Sequence, residues 1–430
     1  MKRILLMLAY TGIVLAADSS LRLGEAFDLA LHHEPGYQVS TYKTASVGEV
    51  IHQAESKLYP QAQLSMSGGK YGYEAYYNHQ QVSEIYKTYS LSLMQAIYHP
   101  EYLRTIDQSR SRFEGANEDL KKQSQHLGLE VARGYVKVLE SENNVTKSDM
   151  QKSFLTAKYQ KVKNMLDLGL ANKLDYLDAK ISLDRAVSDW TSAKRELQSS
   201  KVQLGHMIGY PIDQLSNSHP DYDLKQLRAL KDAWMTKLAN NPDYKIAEFS
   251  KKAAKDEVDI RFYDHYPKVD LNLNRSENHT NDPIAHQYDN KALVQVSIPL
   301  YQGGYTSSRV QEATLLLNAA DANVEYSKKI ASDRLEDLWV EYESLIESIQ
   351  VLQDSEYSLK LYVEAVEKSE KEGVKSAVDV LEAKAKYESI RADRDAAVFN
   401  LLINQLGLLD LTGDLTVETI KDIERMFLDS

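Results

Sequence analysis

The sequence predicts a mainly α protein with a small β part: two tandem repeats of long α-hairpins, each repeat carrying one pair of strands. Three observations predict it. Landmark residues recur at a nearly constant offset, apolar positions hold a three-and-four spacing over several heptads, and four short segments alternate with period two. With only 18 Gly and 9 Pro in 430 residues, little forces a helix to break. A net charge of −12, a mean hydropathy of −0.47 and no cysteine describe, taken alone, a soluble acidic chain. The acidic balance without a Lys/Arg block argues against nucleic acid as a partner. Zero cysteine excludes disulfides, thiolate metal sites, cysteine nucleophiles and a lipid anchor on an N-terminal cysteine.

The first element contradicts a cytoplasmic reading. Met1-Lys2-Arg3 is a short positive start, Ile4 to Leu15 is almost continuously apolar, and Val14-Leu15-Ala16-Ala17 offers small residues to a signal peptidase. The run is shorter than the ~20 apolar residues of a membrane-spanning helix. Residues 1–16 therefore read as a cleaved secretory signal, and no later segment approaches an apolar 20-mer.

The mature chain divides into a first repeat, 17–209, a linker at 210–227, a second repeat, 228–413, and a tail, 414–430. Pro35, Tyr37 and Tyr59-Pro60 recur as Pro242, Tyr244 and Tyr266-Pro267 at an offset of 207. Ile97-Tyr98 recurs as Leu300-Tyr301 at 203, and Gly169 and Gly209 recur as Gly373 and Gly413 at 204, so drift is confined to one loop. Each half then runs helix, two strands, long helix, glycine turn, helix. The long helices are expected at 99–167 and 305–371, with Leu103, Ile106, Phe113, Leu120, Leu127, Val131 and Val138 marking the first apolar seam. A helix over 99–167 would be about 104 Å long, longer than a compact domain needs. Gly169 and Gly373 reverse the chain into antiparallel partners over 174–208 and 376–410.

Strands are expected at about 60–73, 87–98, 267–276 and 291–301. Ala62, Leu64 and Met66 alternate with glutamine and serine, as Val294, Val296, Ile298 and Leu300 alternate with Gln295, Ser297 and Pro299. Each pair flanks a polar excursion: one holds Tyr71, Tyr73, Tyr76, Tyr77, Tyr86 and Tyr89, the other runs from Asn274 to Asp289. Alternating strands with interfacial aromatics and long outer loops are what a transmembrane β-barrel presents. Four strands are too few to close one, since about eight is the minimum. On this reading the barrel is shared between chains.

The signal, the repeat, the strand pairs and the glycine-tipped hairpins together resemble the TolC-like outer-membrane efflux and type I secretion channels of Gram-negative bacteria, over roughly residues 20–410. The segments that carry the likeness are Leu168-Gly169-Leu170, Glu372-Gly373-Val374, Val378-Asp379-Val380-Leu381-Glu382-Ala383, Leu401-Leu402-Ile403-Asn404-Gln405-Leu406 and Pro299-Leu300-Tyr301-Gln302-Gly303-Gly304. The resemblance implies a homotrimer in outer-membrane lipid, with four strands per chain in one 12-stranded barrel. The helices form a periplasmic tunnel, girdled by a mixed equatorial segment near 210–227 with the C-terminal tail. It implies a periplasmic adaptor and an inner-membrane transporter, of ABC or RND type, as partners.

Functional residues carry over one at a time. Asp379 and Glu382 match an acidic ring at the periplasmic entrance; three apart, they share a helix face, and three chains would supply six carboxylates that draw cations. Lys375 and Asp175 match a basic and an acidic residue that would latch the inner hairpin to the outer one. Two departures bear on that latch: Glu370 stands where the best-known members have tyrosine, which makes it a rival partner for Lys375, and Leu174 stands where they have a small polar residue. Leu168, Gly169, Leu170, Glu372, Gly373 and Val374 match the tip segments that meet the adaptor.

Two other classes compete. An enzyme would need a constellation, and there is no P-loop, no His-Glu-x-x-His, no Gly-x-Ser-x-Gly and no metal-ligand spacing among 11 scattered histidines. No cofactor or metal is expected. A periplasmic coiled-coil adaptor or scaffold shares the helices and glycine turns but lacks the repeated strand pair.

Overall fold

A computed structural model describes residues 21–74, 81–213, 215, 231–280 and 287–427, so the expected signal and most of the linker fall outside the described residues. The first half consists of α1 (Leu23–His33), α2 (Pro35–Ser56), β1 (Gln61–Glu74), β2 (Gln81–Tyr98), α3 (Pro100–Asp167) and α4 (Lys173–Ile208). After α5 (Lys231–Lys237) the order recurs as α6 (Pro242–Tyr263), β3 (Lys268–Thr280), β4 (Gln287–Ser297), α7 (Tyr305–Lys371) and α8 (Ala377–Leu411), followed by α9 (Val417–Phe427). Pro35, Pro100 and Pro242 each begin a helix, where a missing N–H and a fixed φ cost nothing. That is why α3 starts at Pro100 and not at residue 99. Its 68 residues extend about 100 Å at 1.5 Å per residue.

The core is concentrated at one level of these long helices. Phe27 of α1, Tyr135 of α3, Leu204 of α4, Leu401 and Leu402 of α8, and Ile420 and Phe427 of α9 are fully buried there. The two ends of the chain meet at this level. The buried Glu424 carboxylate of α9 accepts the Leu23 N–H at 2.7 Å and the Gly24 N–H at 3.0 Å, satisfying donors that a helix N-terminus leaves open. Within the tail expected at 414–430, Val417–Phe427 is thus a helix that caps the first helix.

The sheet has the order β1-β2-β3-β4, antiparallel throughout, with β1 and β4 as its edges. Register separates its two faces. Ala62, Leu93, Leu273 and Ala292 form one cross-strand row, and the next row is Gln63, Ser92, Asn274 and Lys291. On the apolar face Leu64 is 60% exposed, Met66 67% and Val294 58%. No core covers it among the described residues.

Four strand boundaries correct the expectations. Residues Gln81–Tyr86, Glu277–Thr280 and Gln287–Asn290 continue the ladder beyond the expected ends, which adds Tyr86 to the strands; Tyr71 and Tyr73 lie in β1 and Tyr89 in β2, while Tyr76 and Tyr77 lie outside the described residues. Polar side chains on both faces had removed the alternation there. The fourth strand ends at Ser297 and does not reach residue 301, because Pro299 has no N–H for a ladder.

At the sheet-to-helix junction, His99 bridges Glu101 of α3 (3.0 Å) and Asp270 of β3 (2.9 Å), and Lys268 also reaches Glu101 at 3.0 Å. Burial alone would raise the Glu101 carboxyl, but hydrogen bonds from its own backbone, His99 and Lys268 hold it below the ordinary glutamate range.

Glu424→Ala should lower thermal stability by about 1–3 kcal/mol, the range for stranding buried hydrogen-bond partners, read from the unfolding midpoint of the detergent-solubilised protein. An unchanged midpoint would show that α9 does not secure α1.

Candidate functional site at the hairpin tips

Both hairpins reverse through the same backbone device. In the first, Leu170 N–H reaches the Met165 carbonyl at 2.7 Å and Gly169 N–H reaches Leu166 at 2.9 Å; in the second, Val374 reaches Ser369 and Gly373 reaches Glu370, each at 2.9 Å. This Schellman geometry requires a left-handed residue, supplied by Gly169 at φ 73° and Gly373 at φ 77°. A Cβ built on either glycine meets open space. Backbone conformation therefore fixes glycine there, and the tips stand free. Leu168, Leu170 and Val374 are 72%, 70% and 75% exposed around them, and Glu372 ends α7 as its C-cap.

The return helices start alike. Asn172 and Asp175 form a reciprocal capping box on α4, with the Asp175 N–H donating to Asn172 Oδ1 at 2.8 Å and the Asn172 N–H to Asp175 Oδ2 at 3.3 Å. Ser376 and Asp379 do the same on α8, where Asp379 Oδ2 accepts both the N–H and the hydroxyl of Ser376 at 2.8 Å. The repeat offset of 204 makes Asp175 and Asp379 equivalent residues. Each is first a helix cap, since a carboxylate at this position satisfies free N–H groups and the helix dipole. The spacing Asx/Ser-x-x-Asp was visible in the sequence; the caps Asn172 and Ser376 were not among the residues it singled out.

The tip charges are not isolated. Hydrogen bonds from the Ser376 backbone and hydroxyl, helped by the charges of Lys375 and of Lys161 on α3, hold the Asp379 carboxyl below its ordinary range. Its capping contribution is therefore complete above the ordinary aspartate value of about 3.9 and fades only as pH falls through the lower native value. Glu382 pairs with Lys386 at 2.7 Å, so its charge is partly offset. Among the described residues no ion pair joins Lys375 to Asp175, or Lys375 to Glu370, within one chain. Each hairpin is instead clasped internally. Tyr159 and Tyr176 share a hydroxyl hydrogen bond of 2.9 Å in the first, and Lys384 binds Glu367 at 2.8 Å in the second. Lys386 stands four residues after Glu382 on the same helix, a spacing readable in the sequence, whereas only the pairing of α3 with α8 brings the charge of Lys161 to Asp379. No group of three His, Cys, Asp or Glu residues suited to a metal occurs among the described residues.

A repeated pair of hairpins about 100 Å long, continuous with a four-stranded sheet whose apolar face is bare, defines a membrane-sheet protein with a helical extension. The family model described as outer membrane efflux protein matches residues 27–210 and 236–414. The chain belongs to that family, an outer-membrane family of export channels. It is 22% identical to the outer membrane protein TolC of Vibrio cholerae, covering 96% of each chain. It is 20% identical to the alkaline protease secretion protein AprF of Pseudomonas aeruginosa, over 94% of this chain and 87% of the relative. The crystal structure of the Campylobacter jejuni CmeC outer membrane channel superposes with a TM-score of 0.76 at 15% identity, covering 95% of this chain and 93% of that one.

Gly169→Ala and Gly373→Ala should each cost about 1–2 kcal/mol, from the left-handed backbone alone. Gly413→Ala should cost more, because its Cβ would also lie 2.5 Å from the Asn240 carbonyl oxygen. Unfolding midpoints of the three variants check the order, and equal losses would contradict it.

Proposed function

We propose that three copies of this chain close one 12-stranded barrel in outer-membrane lipid, and that their helices form a periplasmic tunnel through which substrate passes without chemical change. The observation that carries this reading is the bare apolar sheet face between two unpaired edges. In lipid each unpaired backbone group costs several kcal/mol, and joining copies edge to edge removes that cost. Cargo would arrive from an inner-membrane transporter, ATP-driven or proton-driven, through a periplasmic adaptor. The protease-secretion relative supports the secretion variant of this use.

Asp379 and Glu382 form the acidic ring at the entrance. With Glu382 paired to Lys386, Asp379 dominates the field. Asp379→Asn should therefore reduce cation over anion selectivity of the reconstituted channel more than Glu382→Gln does; selectivity unchanged by both substitutions would remove the ring. The latch of Lys375 with Asp175 is proposed across the boundary between copies, where Asp175 keeps a carboxylate oxygen outside its capping box. Lys375→Ala should raise single-channel conductance of the purified assembly, and unchanged conductance would discard the latch.

The exposed tips of Leu168, Gly169, Leu170, Glu372, Gly373 and Val374 are proposed as the adaptor contact. Gly169→Trp should abolish co-purification of an adaptor after tip crosslinking while the trimer survives sizing; loss of the trimer would mark the glycine as structural only. A periplasmic scaffold would stay with the periplasmic fraction, whereas the channel should sediment with the outer membrane.

A further inference from the structure

The bare face of the sheet changes character toward the end remote from the helices. Ala62, Leu93, Leu273 and Ala292 make an apolar row on it, and the next row on the same face is Leu64, Leu91, Arg275 and Asn290. Met66, Tyr89, Glu277 and Tyr288 follow, then Gly68, Lys87 and His279, with Lys70 and Ile85 beyond. From Val296 to Tyr288 the strand runs about 26 Å at ~3.3 Å per residue, close to the ~25 Å apolar band of a membrane barrel. The tyrosine row therefore falls at the outer interface, and Lys87 and Lys70 fall among headgroups.

Among the described side chains this end of the face carries three permanent cations and one acid. The acid is engaged: His279 lies 2.9 Å from Glu277, and the Tyr288 hydroxyl donates to it. Lys70, Lys87 and Arg275 are exposed and form no ion pair with a described residue. A groove of about 420 Å³ leads up to Arg275. It lies over β3, with Leu91 and Leu93 on one side, Ala292 and Asn290 on the other, and Leu273 beneath. An apolar groove that ends at a guanidinium suits an acyl chain below an anionic headgroup. The stem of an arginine can follow apolar surface while its head stays wet, and its planar fork matches phosphate oxygens.

The geometry points to this end of the sheet as a binding surface for an outer-leaflet glycolipid that carries phosphate monoesters. An acyl chain lies in the groove, Arg275 takes the phosphate above it, and Lys87 and Lys70 balance the remaining negative charge. A phosphate monoester brings roughly −1.5 to −2 charge near neutral pH, more than the single charge of a phosphodiester, which suits three cations gathered around one paired acid. The inference rests on the proposed barrel in outer-membrane lipid and deepens it by naming the lipid that the barrel holds.

Native mass spectrometry of the detergent-solubilised assembly tests it, with bisphosphorylated lipid A and fully dephosphorylated lipid A as probes. The trimer should bind the phosphorylated form at least about tenfold more tightly, since each basic residue near a lipid surface contributes about a fivefold gain. Arg275→Gln and Lys87→Gln should each weaken that binding about fivefold, while Lys70→Arg with Lys87→Arg should keep it. Lys291→Gln, on the opposite face of β4, should leave it unchanged. Equal affinity for the two forms, or for lipid A and phosphatidylglycerol, would overturn the site, as would an equal loss in Lys291→Gln and Arg275→Gln. All these positions are exposed, so the variants should still size as trimers. An unsubstituted chain that sizes as a monomer would instead contradict the barrel on which the site rests.

Discussion

The unpaired edges of β1 and β4 are the constraint on which the remaining architecture depends. A sheet of four strands presents two rows of backbone N–H and C=O groups that one chain cannot satisfy. Water tolerates such edges, but a hydrocarbon layer does not. On the proposed closure, copies of the same chain supply partners for these edges. Once they do, the helices that continue from the strands are drawn into one ring, and the length of α3 and α7 sets how far that ring reaches from the membrane.

The distribution of burial fits this division of labour. Fully buried side chains cluster where α1 and α9 cross the long helices, and Glu424 ties the two ends of the chain together at that level. Toward the tips, each hairpin is held by its own cross-helix bonds. Low local packing at an element's end lets it move without unfolding the whole. The hairpin ends can thus serve as an entrance because the chain's packing is concentrated elsewhere. The tips themselves need little beyond a left-handed glycine and a capping box, which leaves Leu168, Leu170 and Val374 open to a partner.

Much of this was legible because the repeat states each element twice. Glycine at the tips and period-two alternation in the strands both translated into structure. The polar ends of the strands did not, since Glu277–Thr280 is polar at every position and Gln81–Tyr86 mixes Val82 and Ile85 among polar residues, so that the alternation that marks a strand is lost. The contact of Glu424 with Leu23 has no local signature; 401 residues separate its partners. Asp379 was read for its charge alone. Its place three residues after Ser376 makes it a helix cap, and the bonds from Ser376 hold its carboxyl below the ordinary range.

Closure by copies of the same chain is the central claim, and disulfide trapping tests it most directly. Because the chain has no cysteine, paired cysteines placed along β1 and β4 can be oxidised in isolated outer membranes and read on a non-reducing gel. Closure by three copies predicts a crosslinked ladder that ends at the trimer. Absence of crosslinks at every tested register, or a ladder extending beyond three chains, would contradict it.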